Sequence, residues 1–551
     1  MKNKEIKTNR WKKLLSGAGM LAACGLIAKM IGAVYKIPLT GILHAEGIGL
    51  YQLVFPLYVV LLTVSSGGLP VAISKIVSEF TAKGDTKGAK RTLWAAFFSL
   101  SIIGSLGSLV ILLFREQIAA AQGNRLAAIA YVGIAPSVLI VALISCFRGY
   151  FQGKQNMFPT AISQLIEQVV KLAAGMLGAM YMMRYGLEWA VFGALAGVSL
   201  SEFIALSFLV IMYWAARGRA ARKSARNPHT QLARALLTEA ASEAAPVITP
   251  APLAKVNVST RDIYKKIYAV AIPVTLGALV IPITQVIDSL LIINILSHNG
   301  HTVREATASY GLLAGPVSAL VSMPAVLSMS IAIALLPRIS ALKTQNSDIS
   351  AVTAKSFKYS MITGAPFFAL FAALGTPILR LLFAGAMPPE MVDLGGFLLM
   401  FAGAYVIFIS FLQPAAATLQ GVGKAYVPAT NLFIGAAVKA IATCILLPIV
   451  GILGAVLATL LCYMVTAFLD LVSMLRHVKR PQGILAAFFV PVAGAILAAA
   501  VMRLSFWPLT GKMPGIIALG LAGFAGVAVY GAFLLITRYV RIGEFFGKKK
   551  S

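Results

Sequence analysis

Apolar positions in this chain form long unbroken runs rather than alternating patterns or narrow stripes. Fourteen runs can be marked, at roughly 15–39, 48–74, 93–114, 126–147, 159–182, 188–214, 264–294, 310–336, 357–384, 394–417, 427–448, 451–475, 484–504 and 514–537. About 20 apolar residues let a helix cross the hydrocarbon of a bilayer, and every run reaches that length. A barrel strand would show a period of two, which these continuous runs lack. Fourteen transmembrane helices are therefore predicted, in an all-α polytopic membrane protein. The tightest connection lies between the eleventh and twelfth runs, where Pro448 and Gly451 mark a turn.

The polar positions between the runs set the orientation. With the N-terminus in the cytoplasm, 36 of the 47 Lys and Arg residues fall in cytoplasmic segments and 7 in outer loops. That asymmetry is the positive-inside pattern, and it requires an even number of spans. Both termini are expected inside. The net charge of +29 would suggest nucleic acid in a soluble chain. Here loop topology accounts for it, and no nucleic-acid partner is expected. Only 12% of residues are charged and 59% are hydrophobic, about half the charge of a soluble domain. A soluble enzyme is excluded on that ground. The basic start (Lys2, Lys4, Lys7, Arg10, Lys12, Lys13) leads into the first run with no convincing cleavage site, so no signal peptide is expected.

The longest polar stretch, 215–263, is rich in Ala, Arg, Ser and Pro. It is expected to be a basic cytoplasmic linker, with 230–242 able to form a helix on an anionic leaflet. Similar blocks flank it. After the fourth run the chain places Gln152, Gly153, Lys154, Pro159 and Lys171; after the tenth it places Gln420, Gly421, Lys424, Pro428 and Lys439. The outer Gln and Lys are 19 positions apart in both. Tyr51 and Pro56 are likewise echoed by Tyr310 and Pro316. Six spans separate the blocks, so the repeats are parallel, related by an axis along the membrane normal. The predicted organisation is an N-terminal bundle (1–214), the linker (215–263), a C-terminal bundle (264–475), and an added pair of helices with a basic tail (476–551). Two parallel six-helix bundles facing each other enclose a central cavity. Rocking one against the other gives alternating access, which points to transport, with a non-transporting scaffold as the rival.

Charges inside a membrane cost at least ~2.5 kcal/mol on insertion scales and usually face protein or a water-filled cavity. The first run holds Lys29 with no acid in the same run, then Gly32, Tyr35 and Lys36. Lys29 is the leading candidate for binding an anionic group such as phosphate; Lys36 either shares that face or snorkels outward. Glu167 and Lys171 lie four apart, as a binding pair or as a structural one. Lys439 has no acid four residues away and is the more open of the two repeat-related lysines. Lys75 and Arg338 end runs two and eight at the cytoplasmic mouth, where they could attract an anionic headgroup. Asp288, with Thr284 and Gln285 one turn before it, offers oxygen ligands for a coupling ion or a helix-packing network. Asp470 and Glu202 are further coupling or structural candidates. Hinges are expected at Gly67, Gly68 and Pro70, at Pro273, Gly277 and Pro282, and at Gly315, Pro316 and Pro324.

No enzymatic constellation is present. The chain has no GxxxxGK[ST] loop and no HExxH. Its four cysteines (Cys24, Cys146, Cys444, Cys462) are far apart, and His298 and His301 are too few for a metal site. No enzyme activity, metal or cofactor is expected, and energy must come from a gradient or from substrate supply.

Four stretches carry a family resemblance: 27–58 (IAKMIGAVYKIPLTGILHAEGIGLYQLVFPLY), 65–79 (SSGGLPVAISKIVSE), 335–340 (LLPRIS), and the paired Gln-Gly…Pro…Lys blocks. With them the chain resembles the multidrug/oligosaccharidyl-lipid/polysaccharide exporter superfamily, and within it the polysaccharide-biosynthesis branch of MurJ-type lipid II flippases and their YtgP-type and SpoVB-type relatives. The resemblance implies a bacterial cytoplasmic membrane protein, monomeric, that flips an undecaprenyl-linked glycan pyrophosphate, foremost lipid II, to the outer leaflet. It implies a central cationic cavity, a lipid groove formed by spans 13 and 14, and contact with anionic lipids and the cell-wall synthesis machinery. Sodium, a proton or the membrane potential could drive it. Lys29 matches a cavity arginine of the family in a basic-x-x-Gly pattern. A second family arginine falls on Tyr35, with Lys36 beside it. The span-2 arginine falls near Leu61 and Leu62, the acid before the span-2 glycine falls on Ser66, and the span-8 arginine has no basic counterpart between 311 and 337. The pocket is thus thinner in cations than the family pattern. Another lipid-linked oligosaccharide, of capsule, teichuronic or spore-envelope type, and cation-coupled multidrug export are the alternatives.

Overall fold

The computed structural model describes residues 2–225, 259–345, 347–478 and 483–540, and every regular element among them is helical. In chain order these are α1 (Lys2–Ser66), α2 (Leu69–Ala82), α3 (Thr86–Ala121), α4 (Ala127–Gly153), α5 (Phe158–Met182), α6 (Leu187–Ala225), α7 (Thr260–His298) and α8 (Val303–Leu312). A π-helical turn (Leu313–Val317) leads into α9 (Ser318–Thr344), followed by α10 (Ser350–Phe383), α11 (Pro389–Gly421), α12 (Tyr426–Val450), α13 (Leu453–Leu475), α14 (Ile484–Phe506) and α15 (Gly515–Ile536). Among the described residues, 13 helices are long and apolar enough to cross a membrane.

The first of these stretches, Ala23–Ala82, covers 60 residues and holds most of the first predicted run and all of the second. A straight α1 would be about 100 Å long, some three times the hydrocarbon thickness. It is not straight. His44 takes φ 56° and ψ −174°, a backbone state uncommon outside glycine, and its ring Nδ1 pairs with Ala386 O at 2.8 Å. The chain folds back there. Lys171 Nζ lies 5.7 Å from the Tyr35 ring and 5.7 Å from the Phe55 ring, whereas a straight helix would hold those rings about 30 Å apart.

Two predicted hinges are visible as breaks. Gly67 and Gly68 separate α1 from α2, and Pro70 sits in the first turn of α2. A Cβ on Gly68 would overlap the backbone of Ala271, and the Gly68 N–H donates to Thr275 Oγ1 at 3.0 Å. Here glycine is what lets α2 approach α7. Pro316 lies inside the π turn that interrupts the eighth run, as expected where a proline removes an i→i−4 bond. Gly451, at φ 60°, makes the turn between α12 and α13.

The predicted linker, 215–263, opens in helical form, since α6 continues to Ala225. Apart from Gly218, its last turns are built mostly of Ala, Arg and Lys, which are good helix formers. The stretch 226–258, including 230–242, lies outside the described residues. The chain is helical again from Thr260, where the Ser259 side chain caps α7 by accepting from Arg261 N–H at 3.3 Å.

Packing follows the chain order. The α1 hairpin lies against α4, α5 and α6, and α7 lies against α12; α11 packs on α9, α10 and α13. The first group meets the second where α1 touches α7 and α8, and where α2 and α3 touch α7. One apolar core passes through this junction, including Tyr35, Tyr51, Tyr131, Tyr310 and Tyr405. The pair α14 and α15 attaches to α10.

Candidate functional site

A cavity of about 290 Å³ lies between the α1 hairpin and α7, the π turn, α9, α11, α12 and α13. Its wall combines apolar and aromatic side chains with polar ones: Lys36 and Gln52 from α1, Thr284, Gln285 and Asp288 from α7, Ser318 and Ser322 from α9, Lys439 from α12 and Thr459 from α13. Apolar walls with a small number of placed polar groups are the usual composition of a ligand pocket.

One end of the cavity is sealed. Gln52 Nε2 donates to Ala314 O, and Tyr310 OH donates to Gln52 O at 3.1 Å. Beyond them the segments around residues 44–53 and 303–314 meet closely. A Cβ on Gly311 would overlap the backbone of Ala45 and Gly49. Arg304 Nε pairs with Glu46 Oε2 at 2.7 Å. Asn124 Nδ2 donates to Thr307 Oγ1 at 2.9 Å, and Gln122 Nε2 donates to Ser289 Oγ at 3.1 Å. The Thr302/Glu305 capping box starts α8 at this seam.

The charged candidates separate into three groups. Lys36 lines the cavity and has no carboxylate within ion-pair distance among the described residues. Tyr35, beside it in sequence, points the other way: it is buried against α5, with its hydroxyl unpaired in the apolar core. Lys171 stacks over the Tyr35 and Phe55 rings, a cation–π arrangement.

The second group is corrected by its partners. Lys439 is not an open cation: its Nζ meets Asp288 Oδ2 at 2.5 Å, across from α12 to α7. Their side chains are 5% and 21% exposed. The partner lies 151 positions away on another helix, where spacing along α12 carries no trace of it. Only Oδ2 of Asp288 is engaged in this way; its buried Oδ1 has no hydrogen-bond partner among the described residues. Thr284 turns its hydroxyl to its own helix, donating to Ile281 O at 2.7 Å, while Gln285 stands exposed on the cavity side. Among the described residues, no ion-pair contact joins Glu167 to Lys171. Glu167 instead accepts from Arg148 Nη2 at 2.9 Å.

The third group lies outside the cavity. Glu202 accepts from Tyr58 OH at 2.7 Å and is buried. Asp470 accepts from Asn431 Nδ2 at 2.6 Å, also buried. Lys75 and Arg338 are exposed at helix positions away from the wall. The side chain of Lys29 lies outside the described residues. Among the described residues no group of three His, Cys, Asp or Glu could hold a metal ion.

Sequence reading missed Gln52, Tyr310 and Arg148. Gln52 was detectable as the one amide side chain inside the second apolar run. Arg148 looked like a loop charge, and only the antiparallel packing of α4 and α5 brings it to Glu167.

The two repeat-related lysines hold comparable places. Lys171 reaches from α5 onto the α1 hairpin, and Lys439 reaches from α12 onto α7. The contacts differ, aromatic in one case and ionic in the other.

A family model described as "Polysaccharide biosynthesis protein" matches residues 14–343, more than half of the chain. Among curated proteins, stage V sporulation protein B of Bacillus subtilis (strain 168) is 24% identical over 545 residues, covering 96% of each chain. The lipid II flippase MurJ of the same organism is 26% identical over 550 residues, covering 94% of each. Among solved structures, a lipid II flippase MurJ in an inward closed conformation aligns with a TM-score of 0.69 at 13% identity, over 94% of this chain and 98% of that one. At that identity the structural likeness speaks for the fold alone. Helical architecture and the family match agree: the chain belongs to the polysaccharide biosynthesis protein family and is an all-helical, multi-pass membrane protein.

Proposed function

We propose that this protein moves a lipid-linked glycan pyrophosphate, foremost lipid II, from the inner to the outer leaflet by alternating access. The observation that carries the reading is Lys36, a cation on the cavity wall with no carboxylate partner among the described residues. A pyrophosphate supplies the missing counter-charge, and the aromatic wall suits sugar rings. The relative named lipid II flippase, similar over nearly the full length, supports the same substrate class.

In this reading the hairpin at His44 supplies two crossings, so the chain crosses fourteen times, with both termini in the cytoplasm. Residues 1–214 and 264–475 act as two parallel six-helix bundles, with 215–263 joining them and 476–551 an addition. The seam holding Glu46 and Arg304 is the outer gate, drawn shut. Lys171 extends the cationic surface on the N-terminal side, Lys29 is a further candidate for the pyrophosphate from its place in the sequence, and Lys75 and Arg338 gather the headgroup at the inner mouth. Lys439 becomes available to the substrate only when a phosphate oxygen displaces Asp288.

Depletion of the protein in its own host, in a strain with no redundant flippase, tests this directly. Lipid II exposed on the outer leaflet should fall while the inner pool accumulates. An unchanged distribution would transfer the proposal to another undecaprenyl-linked oligosaccharide, to be followed by the same leaflet assay.

A further inference from the structure

A second cavity, of about 420 Å³, lies on the flank of the molecule and shares no residue with the central one. Its wall comes from the second half of α10, the first turns of α11, and the end of α14 with the 3-10 turn Trp507–Leu509. Helix α15 contributes nothing to it. Small residues make the hollow: Ala372, Ala373 and Gly375 on α10, and Gly396 on α11. Helix α10 is broken at the same level, where Leu374 takes φ −122° and ψ 16°. Pro377 adds to the break, since it has no N–H to return to the Ala373 carbonyl.

Charge distinguishes this hollow from an ordinary packing defect. Arg503 stands in its wall with no ion-pair partner among the described residues. The other arginine at this end, Arg380, is held by both oxygens of Asp393 at 2.8 Å. Residues 484–540 contain no Asp or Glu at all, so α14 and α15 cannot neutralise Arg503 themselves. Around the cation the surface is apolar: Trp507 is 78% exposed and Leu504 is 74% exposed. Tryptophan is characteristic of the level where hydrocarbon meets headgroups. An uncompensated cation in a hollow at that level, with an apolar flank beside it, has the chemistry to take an amphiphile with an anionic head.

We propose that this flank cavity binds one anionic phospholipid of the surrounding leaflet, its phosphate on Arg503 and its acyl chains along Leu504 and Trp507. The bound lipid would join α10, α11 and α14 at one end. The site is independent of the glycan carried in the central cavity, and its test does not use transport.

Trp507 reports on the site. With Trp11, Trp94, Trp189 and Trp214 replaced by Phe, the full chain is reconstituted in phosphatidylcholine vesicles and titrated with brominated lipid, which quenches a neighbouring indole. Brominated phosphatidylglycerol should quench with about fivefold preference over brominated phosphatidylcholine, the scale of one basic residue acting on an anionic lipid. Arg503→Gln should bring the two to parity, and Arg503→Lys should keep the preference. Parity in the unmodified site, or an undiminished preference in Arg503→Gln, overturns the proposal. Millimolar inorganic phosphate that removes the preference, when chloride of equal ionic strength does not, assigns the site to free phosphate and also overturns it. Lipid retention by the wild-type chain and Arg503→Gln on native mass spectrometry gives the same comparison without the tryptophan replacements.

Discussion

At the scale of single residues, two lysines on one cavity wall are in opposite electrical situations. Lys36 has no carboxylate within ion-pair distance among the described residues, and a hydrogen bond from a charged group contributes about 1.5–3 kcal/mol. Lys36→Ala should therefore lower leaflet transfer by about tenfold or more at unchanged membrane abundance, with Lys36→Arg retaining most of it. Transfer rates in proteoliposomes of matched protein content decide this, and full activity of Lys36→Ala removes Lys36 from the site. Lys439 is compensated by Asp288. Lys439→Met leaves a largely buried carboxylate without its cation, at a cost of about 3–5 kcal/mol. A marked drop in thermal unfolding temperature is expected, with Asp288→Asn on top of Lys439→Met recovering much of it. If the double variant is no better than the single one, the ion pair is not what Lys439 contributes.

At the scale of elements, the breaks matter more than the helices. The corner at His44 and the π turn at Pro316 bring the 44–53 and 303–314 segments face to face. Backbones meet there because Gly49 and Gly311 have no side chains. Gly311→Val should force the seam apart, with an overpacking cost of about 1–3 kcal/mol, and increase labelling of a cysteine placed at Gln52. Locking the seam should have the opposite effect. With the four native cysteines replaced, Glu46→Cys and Arg304→Cys joined by a cleavable thiol reagent should stop leaflet transfer, and cleavage should restore it. Undiminished transfer in fully crosslinked protein would mean the seam is not a gate.

At the scale of the whole molecule, the two ends differ in charge, and the proposed orientation follows from that difference. A cysteine at Lys512 should react with an impermeant maleimide in intact cells, and one at Lys424 only after the membrane is permeabilised. The reverse pattern would invert the proposed direction of transfer. The two cavities also sit in different surroundings. The central one lies where the first group of helices meets the second, and the flank one lies where α14 joins α10 and α11.

The sequence by itself determined the all-helical, membrane-spanning class, because burying backbone in hydrocarbon demands long apolar helices that cannot be disguised in composition. It located the breaks at Gly67–Gly68, Pro316 and Gly451, since glycine and proline act on the backbone locally. It also singled out Lys36, Asp288 and Lys439 as membrane-embedded charges. What it left open was which charges meet. Lys439 finds Asp288 on α7, Glu167 finds Arg148 on α4, and Tyr35 turns away from Lys36 into the core. Those outcomes depend on how helices distant in sequence are rotated against one another. Only the tertiary structure fixes that rotation, because an ion pair is a matter of a few ångströms in space, and spacing along a single helix records none of it.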